Sequence, residues 1–348
     1  MVEGSHLHRE IHSQPAVLER LLSTQRKPAR DLAQAISSKA INHVLIAARG
    51  TSDNAARFAQ YVFGAMNGLL VSLATPSLYT FYHRPPRLRD VLVLGISQSG
   101  RSPDIIAVLA EARSQGALTA TLTNETDSEL AGLGDFVIDL CAGEEQAVAA
   151  TKTYTAELAA ISLLSATIAG DPDMVAALER TPTAVSKALS TEDAARQAAA
   201  RLQKFSHAAV IGRGFNYATA FELAIKLAEL TYSPVQAYSS ADFLHGPLAV
   251  VERGFPVIVV AAAGALRDDL SGLLRTLDER RAEVVCITDE AGLIEPSGGV
   301  IRVPQEVPEW LSPLPLIVPG QLLALHLAHL RGLDVDSPRS IKKVTETR

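Results

Sequence analysis

Cysteine is scarce in this chain: Cys141 and Cys286 are the two thiols among 348 residues. They have no metal-ligand spacing and imply no disulfide framework. Both stand among apolar neighbours, the setting of buried, reduced cysteines in a cytoplasmic protein. A basic block or stripe is also missing, the Lys and Arg residues being scattered, which argues against nucleic acid as a partner. No apolar leader follows Met1-Val2-Glu3-Gly4-Ser5-His6, and no run reads as the eighteen apolar residues a membrane helix needs, so a cytoplasmic protein with no membrane partner is expected. No Gly-x-Gly-x-x-Gly opens a helix after a strand, and no His, Cys or carboxylate cluster has ligand spacing, so neither a nucleotide cofactor nor a metal is suggested.

What is present fits a globular chain of about two domains: 47% hydrophobic residues, 20% charged, and a net charge of −6. One pattern occurs twice. The apolar run His43-Val44-Leu45-Ile46-Ala47-Ala48 ends in Arg49-Gly50 and precedes an alanine-rich helix expected from about Ser52 to Met66. His207-Ala208-Ala209-Val210-Ile211-Gly212 ends in Arg213-Gly214 and precedes a helix from about Tyr217 to Tyr232. Gly50 and Gly214 stand 164 residues apart, and further strands match at similar offsets: Val91–Ile96 with Val257–Ala262, and Ala120–Asn124 with Val285–Asp289. Three matches in one order predict a duplicated domain. Each half alternates strand and helix, which predicts an α/β fold with parallel sheets covered by helices on both faces, binding ligands at the carboxyl ends of the strands. The expected division is a polar helical arm over residues 1–35, with Leu18, Leu21 and Leu22 spaced to dock, then domains over 36–175 and 176–333 and a tail over 334–348.

The chemistry concentrates in Ser97-Gln98-Ser99-Gly100-Arg101-Ser102. A buried strand that breaks into hydroxyls and glycine, then starts a helix at Pro103, aims N–H and O–H groups at one point that suits a phosphate. A serine-rich helix cap that binds nothing is the plainer alternative. The second half has Ala261-Ala262-Ala263-Gly264-Ala265 at that position and no hydroxyls, so a second phosphate site is not expected there. It carries instead Glu222, Lys226 and Glu229 on one face of a helix. A solvated ion-pair stripe is the ordinary reading of such a triad, but Leu223, Ile225, Leu227 and Leu230 make this helix largely buried, which favours a site. His245 follows, between an apolar pair and a Gly-Pro turn.

Gly50-Thr51-Ser52, Ser97-Gln98-Ser99-Gly100, Ala150-Thr151-Lys152, Glu222 to Glu229, His245-Gly246-Pro247-Leu248-Ala249 and the tail from Asp334 through Lys343 stand in the order and spacing of the sugar isomerase (SIS) family. Over about residues 36–348 the chain resembles the isomerase half of glucosamine-6-phosphate synthase and the stand-alone SIS-type glucosamine-6-phosphate deaminases. The resemblance implies two tandem SIS domains, each a three-layer, flavodoxin-like sandwich. It implies a sugar-phosphate pocket at Ser52, Ser97, Gln98, Ser99 and Ser102, with Glu222, Lys226, Val148 and Ala150 lining the cavity. It makes Glu229 the carboxylate that moves a proton between C1 and C2, His245 the ring-opening imidazole reaching across a homodimer interface, and Lys343 the Schiff-base lysine. Lys342 is one register step away, and Lys152 reads as a helix start.

Such chemistry needs a base beside a carbonyl or imine, for which a half-buried glutamate suits, and an acid–base group for ring opening, for which histidine suits. The phosphate supplies binding energy remote from the reacting carbons. Position 2 is Val2 and not the nucleophilic cysteine of a glutaminase domain, so glutamine is not expected as the ammonia source. The expected activity is that of a glucosamine-6-phosphate deaminase. Alternatives are a phosphosugar aldose–ketose isomerase, a deaminase of galactosamine or fructosamine 6-phosphate (Ala150 and Asp242 depart from the synthase pattern), and a non-catalytic sugar-phosphate sensor. His326 and His329 read as packing or surface residues, and His8, His12 and His43 show no site geometry.

Overall fold

The computed structural model describes residues 2–293 and 296–343. It divides into two compact units that interleave along the chain. The first takes residues 16–145, 152–179 and the chain from Ile341. The second takes the residues up to Pro15, 146–151 and 180–340. The expected linear division at 35, 175 and 333 is therefore crossed by short segments: the N-terminal arm is shared between the units at Pro15, and residues 146–151 and 334–340 belong with the second.

Helix α1 (His6–Thr24) spans that division and is followed by α2 (Arg26–Ser38), β1 (His43–Ala47), α3 (Thr51–Asn67), β2 (Leu70–Leu73), α4 (Ser77–Thr80), β3 (Val91–Ile96), α5 (Pro103–Ser114), β4 (Leu118–Thr123), α6 (Glu129–Leu133), β5 (Phe136–Asp139), α7 (Lys152–Ala169) and α8 (Pro172–Glu179). The first unit's five strands are all parallel, in the order β2-β1-β3-β4-β5. Every residue of β3 and β4 is buried, because helices cover both faces. Gly95 in β3 has a packing cause: a Cβ there would lie 2.9 Å from Leu109 Cδ1, so α5 sits against the bare strand. The docking expected of Leu18, Leu21 and Leu22 is found, with all three buried; each contributes roughly 1.5–3 kcal/mol relative to exposure.

The second unit repeats the plan with α9 (Thr181–Leu189), α10 (Glu192–Leu202), β6 (Ala208–Ile211), α11 (Tyr217–Thr231), β7 (Val235–Tyr238), α12 (Ser240–Leu244), β8 (Pro256–Ala261), α13 (Arg267–Glu279), β9 (Glu283–Thr288), β10 (Val300–Arg302) and α14 (Pro313–Leu330). Its strands are also parallel and run β7-β6-β8-β9-β10, the same winding. In both sheets the strand order reverses between the first and third strands, where ligands bind in doubly wound folds.

Two sequence readings change. Helix α14 is 18 residues long and apolar enough by composition to cross a membrane, contrary to the expectation of no such run; 89% of it is buried inside the fold, where it serves as a core helix. Cys141 is only half-buried, because it sits in the loop after β5 at φ +52 and not in a strand, whereas Cys286 in β9 is fully buried. Burial pushes the Cys286 thiol up to about 12.

Candidate active site

At the switch point of the first sheet, Gly50 adopts φ +56 and lets the chain leave β1 and begin α3 at Thr51. Arg49 donates from Nε to Asp104 Oδ2 at 2.6 Å, tying the end of β1 to the first turn of α5, where Asp104 is buried. The Ser97–Ser102 loop crosses between these anchors. Ser97 is buried, and its Oγ accepts the Gly100 N–H at 3.1 Å; Ser99 Oγ accepts from Arg101 N at 3.4 Å. Gln98 O accepts from Asn124 N at 3.2 Å, which fixes the loop to the end of β4. Gly100 has φ +61, and a Cβ would lie 2.0 Å from Ser128 Oγ, so glycine is required twice over. Ser102 precedes Pro103 at the start of α5 and makes no capping bond with its side chain. Gln98, Ser99 and Ser102 are half-buried. Ser52 is buried, and its Oγ donates to Glu157 Oε1 of α7 at 2.6 Å.

The second unit copies the scaffold and changes the lining. Arg213 at the end of β6 pairs with Asp269 in the first turn of α13, as Arg49 does with Asp104. The loop after β8 is occupied by the chain's own acids. Ala263 N donates to Asp289 Oδ1 at 2.6 Å, and Ala265 N to Glu309 Oε2 at 2.9 Å. Burial pushes the Asp289 carboxyl up to about 6, against the opposing pull of the Ala263 N–H. Among the described residues no carboxylate takes the Gln98, Ser99 or Ser102 amides in the same way. This difference accounts for the loss of hydroxyls in Ala261–Ala265: its amides already have anionic acceptors.

Along α11, Glu222 and Lys226 are buried, and Glu229 retains 24% of its side-chain exposure. Lys226 Nζ lies 3.5 Å from Glu222 Oε1 and donates to Glu229 Oε2 at 2.7 Å. One ammonium thus faces two carboxylates, and only the outer one reaches solvent. The helix ends at Tyr232, whose φ of +56 is a left-handed cap. His245 follows the short α12 and is exposed. Phe243 and Leu248 anchor its loop on the core, while Leu244 and Val250 are 48% and 56% exposed. Among the described residues no hydrogen bond joins the exposed His245 to the Glu222–Lys226–Glu229 row.

Lys152 and Lys343, both in the first unit, take different partners. Lys152 starts α7 and donates to the Glu144 carbonyl. Lys343 donates to Glu145 Oε2 at 2.7 Å, and Glu145, fully buried, also accepts from Thr153 N at 3.2 Å and Thr153 Oγ1 at 2.7 Å. Lys342 is exposed. In the second unit, Val148 N donates to the Asp336 carbonyl at 3.0 Å. The Asp336 carboxylate accepts from His6 N and Leu7 N at the start of α1, and Glu10 accepts from Ala147 N at 3.3 Å. The half-buried Val148 and Ala150 therefore sit on a loop pinned to both the tail and α1. Glu145, Glu157, Glu10 and Asp336 were not singled out in the sequence, for their partners lie 8 to 330 positions away and no spacing announces them.

Isomerizing glutamine–fructose-6-phosphate aminotransferase of Bartonella quintana is 32% identical over 361 aligned residues, covering 98% of this chain and 59% of that protein. The chain thus spans about three fifths of the length of the curated relatives it matches. Among solved structures, a candidate phosphosugar isomerase from Silicibacter pomeroyi DSS-3 is 31% identical with a TM-score of 0.87, covering 95% of this chain and all of that one. Glucosamine-6-phosphate deaminase of Thermotoga maritima, at 21% identity, TM-score 0.78 and coverage of 99% and 100%, shares the fold. The SIS domain model matches residues 38–166 and 201–305, and on that match the chain belongs to the SIS domain family.

Proposed function

We propose that this protein isomerises and deaminates an amino-sugar phosphate, converting glucosamine 6-phosphate and water to fructose 6-phosphate and ammonia. The observation that carries the reading is the row Glu222–Lys226–Glu229, in which a buried ammonium holds one partly exposed carboxylate at 2.7 Å. The ligand class is supported by the names of the relatives, which carry fructose 6-phosphate or glucosamine 6-phosphate, hexoses that share the phosphate and differ at C1 and C2.

The Ser97–Ser102 loop takes the phosphate with its half-buried hydroxyls and amides. His245 moves the C1 hydroxyl proton to the ring oxygen and opens the sugar. Its outward position beside exposed Leu244 and Val250 supports a homodimer in which a second copy supplies this group. Glu229 removes the proton from C2, the released pair forms the C1–C2 double bond of an enaminol as the carbonyl pair moves onto O1 and takes a proton, and returning the first proton to C1 while the amine gives one up leaves an imine at C2. Lys343, once its proton passes to Glu145, attacks C2, and ammonia departs. Water then adds to the lysine imine, the C–N bond breaks, and the ketose leaves with the amine restored. The sum is one water consumed and one ammonia released, with no net oxidation.

The test is to incubate the protein with glucosamine, galactosamine and fructosamine 6-phosphates and assay ammonia and ketose together. One ammonia per fructose 6-phosphate from the glucosamine substrate is expected. Glu229→Gln should cut turnover by roughly 10²–10⁴ while sugar-phosphate binding persists. Ketose without ammonia from an aldose phosphate would make the protein a plain isomerase, and binding without turnover a sensor.

A further inference from the structure

We infer that His8, His12, His326 and Glu192 form a binding site for a first-row divalent cation, with Zn2+ the ion whose ligand preferences the set matches. The four residues come from three helices of the second unit. His8 and His12 stand at i and i+4 on α1, so both project from one face; their ring centroids are 4.2 Å apart. Glu192 is the first residue of α10, and His326 lies on α14. His8 Nε2 lies 3.2 Å from Glu192 Oε1, His12 Nε2 3.1 Å from Oε2, and His326 Nε2 2.9 Å from Oε1. All three imidazoles thus aim the same nitrogen at one carboxylate.

Four ligands at Zn2+ bond lengths of about 2.0–2.1 Å in tetrahedral geometry stand about 3.3 Å apart. The ligand atoms of His8, His12 and Glu192 all lie within 4.8 Å of one another, and His326, which meets Glu192 Oε1 at 2.9 Å, joins them around a central ion by a side-chain movement toward that group. Three imidazoles with one carboxylate are a donor set that borderline ions take. A carboxylate only accepts hydrogen bonds, so in the metal-free arrangement each Nε2 carries its proton; on binding, that proton moves to Nδ1 or to water and the lone pair turns to the ion. Burial holds the His326 imidazole below the usual histidine range, opposed by Glu192 and helped by Arg196 and His8. Arg196 is itself paired with Asp193 at 2.6 Å. Burial would raise Glu192, but His8, His326 and His12 outweigh it, and the carboxylate ends below its ordinary value. Side-chain exposure rises from 9% at His326 to 36% at His12, which leaves an entry from solvent.

No ligand spacing in the sequence marked this set: about 180 residues separate His12 from Glu192, and more than 130 separate Glu192 from His326. The His-x-x-x-His pair on a helix was the signal available. The experiment is calorimetric titration of the full chain, stripped with chelator, with Zn2+, and visible absorption with Co2+ in its place. One ion per chain and the intense visible band of four-coordinate Co2+ are expected. His12→Asn and His326→Asn should each weaken binding by on the order of 100-fold or more, and His207→Asn should leave it unchanged. His12 is exposed enough that its substitution leaves the fold intact even where His326→Asn does not. Absence of stoichiometric binding, or binding that survives His8→Asn, His12→Asn and His326→Asn together, would show that the four groups are a hydrogen-bonded staple and overturn the site.

Discussion

Substituting Gly100 by alanine would test the anion loop where its geometry is tightest. The residue has φ +61, and an added Cβ would lie 2.0 Å from Ser128 Oγ and 2.4 Å from Ser128 Cβ. The left-handed backbone costs an alanine about 1–2 kcal/mol, and relieving the overlap costs about 1–3 kcal/mol more. Gly100→Ala should therefore lose about 2–5 kcal/mol, a large part of an ordinary folding stability of about 5–15 kcal/mol. Ser128 is the N-cap of α6 and accepts from Ala131 N at 3.3 Å. Glycine is a tolerable cap, so Ser128→Gly alone should cost a few tenths of a kcal/mol. In the double variant the overlap is gone and the backbone penalty stays, so a favourable coupling of about 1–3 kcal/mol is expected from urea unfolding of all four proteins. Calorimetric binding of fructose 6-phosphate should weaken in Gly100→Ala and recover in part in the double variant. Additive stabilities, with coupling below about 0.5 kcal/mol, would refute the steric argument.

The two carboxylates flanking Lys226 make a second test. Lys226→Met removes the ammonium beside the fully buried Glu222, and urea unfolding should show a loss of about 3–5 kcal/mol, part of it regained by adding Glu222→Gln. An undiminished midpoint would mean that water enters the row. Asp289 sets a pH dependence. Its folded pKa of about 6 exceeds the ordinary aspartate value of 3.8, so the native state binds the proton more tightly than the unfolded chain. Stability should fall as pH rises from about 4 to 6, by at most roughly 3 kcal/mol, and stay low above that. Asp289→Asn, which keeps an acceptor for Ala263 N, should flatten the slope; an unchanged slope would assign it elsewhere.

The central strands were legible because a parallel strand buried on both faces writes an unbroken apolar run: Val91–Ile96 matches β3 to the residue, and the runs for β1, β4, β6, β8 and β9 agree to within one to three positions, whereas the partly buried edge strands β2, β5, β7 and β10 write no such run and were not read. The duplication was legible for a related reason, since the paired Arg-Gly turns follow from a backbone path both units share. Arg49–Asp104 and Arg213–Asp269 extend that repeat into side-chain contacts that a strand pattern does not show. Helix α14 escaped because Pro319, Gly320, Gln321 and His326 interrupt its apolar run, though each is buried against neighbouring helices. Ser52 shows the limit of motif reading. The family resemblance alone assigns this hydroxyl beside a glycine turn to a phosphate pocket, and the partner its Oγ takes in the fold, Glu157, stands 105 residues away. The convergence of His8, His12 and His326 on Glu192 is likewise a product of helix packing, to which local spacing is blind.

The Glu309 carboxylate on the Ala265 amide has a consequence for how order is acquired. A loop that waits for a substrate anion loses its conformational freedom at each encounter, and that loss is subtracted from affinity. In the second unit the chain settles the same turn once, during folding, with an acid tethered 44 positions along the backbone. Helix α13 and its strand are thereby held in their final posture between turnovers. On the proposed reading, inorganic phosphate in the surrounding solution would compete for the Ser97–Ser102 loop, while the turn held by Glu309 would be indifferent to its concentration.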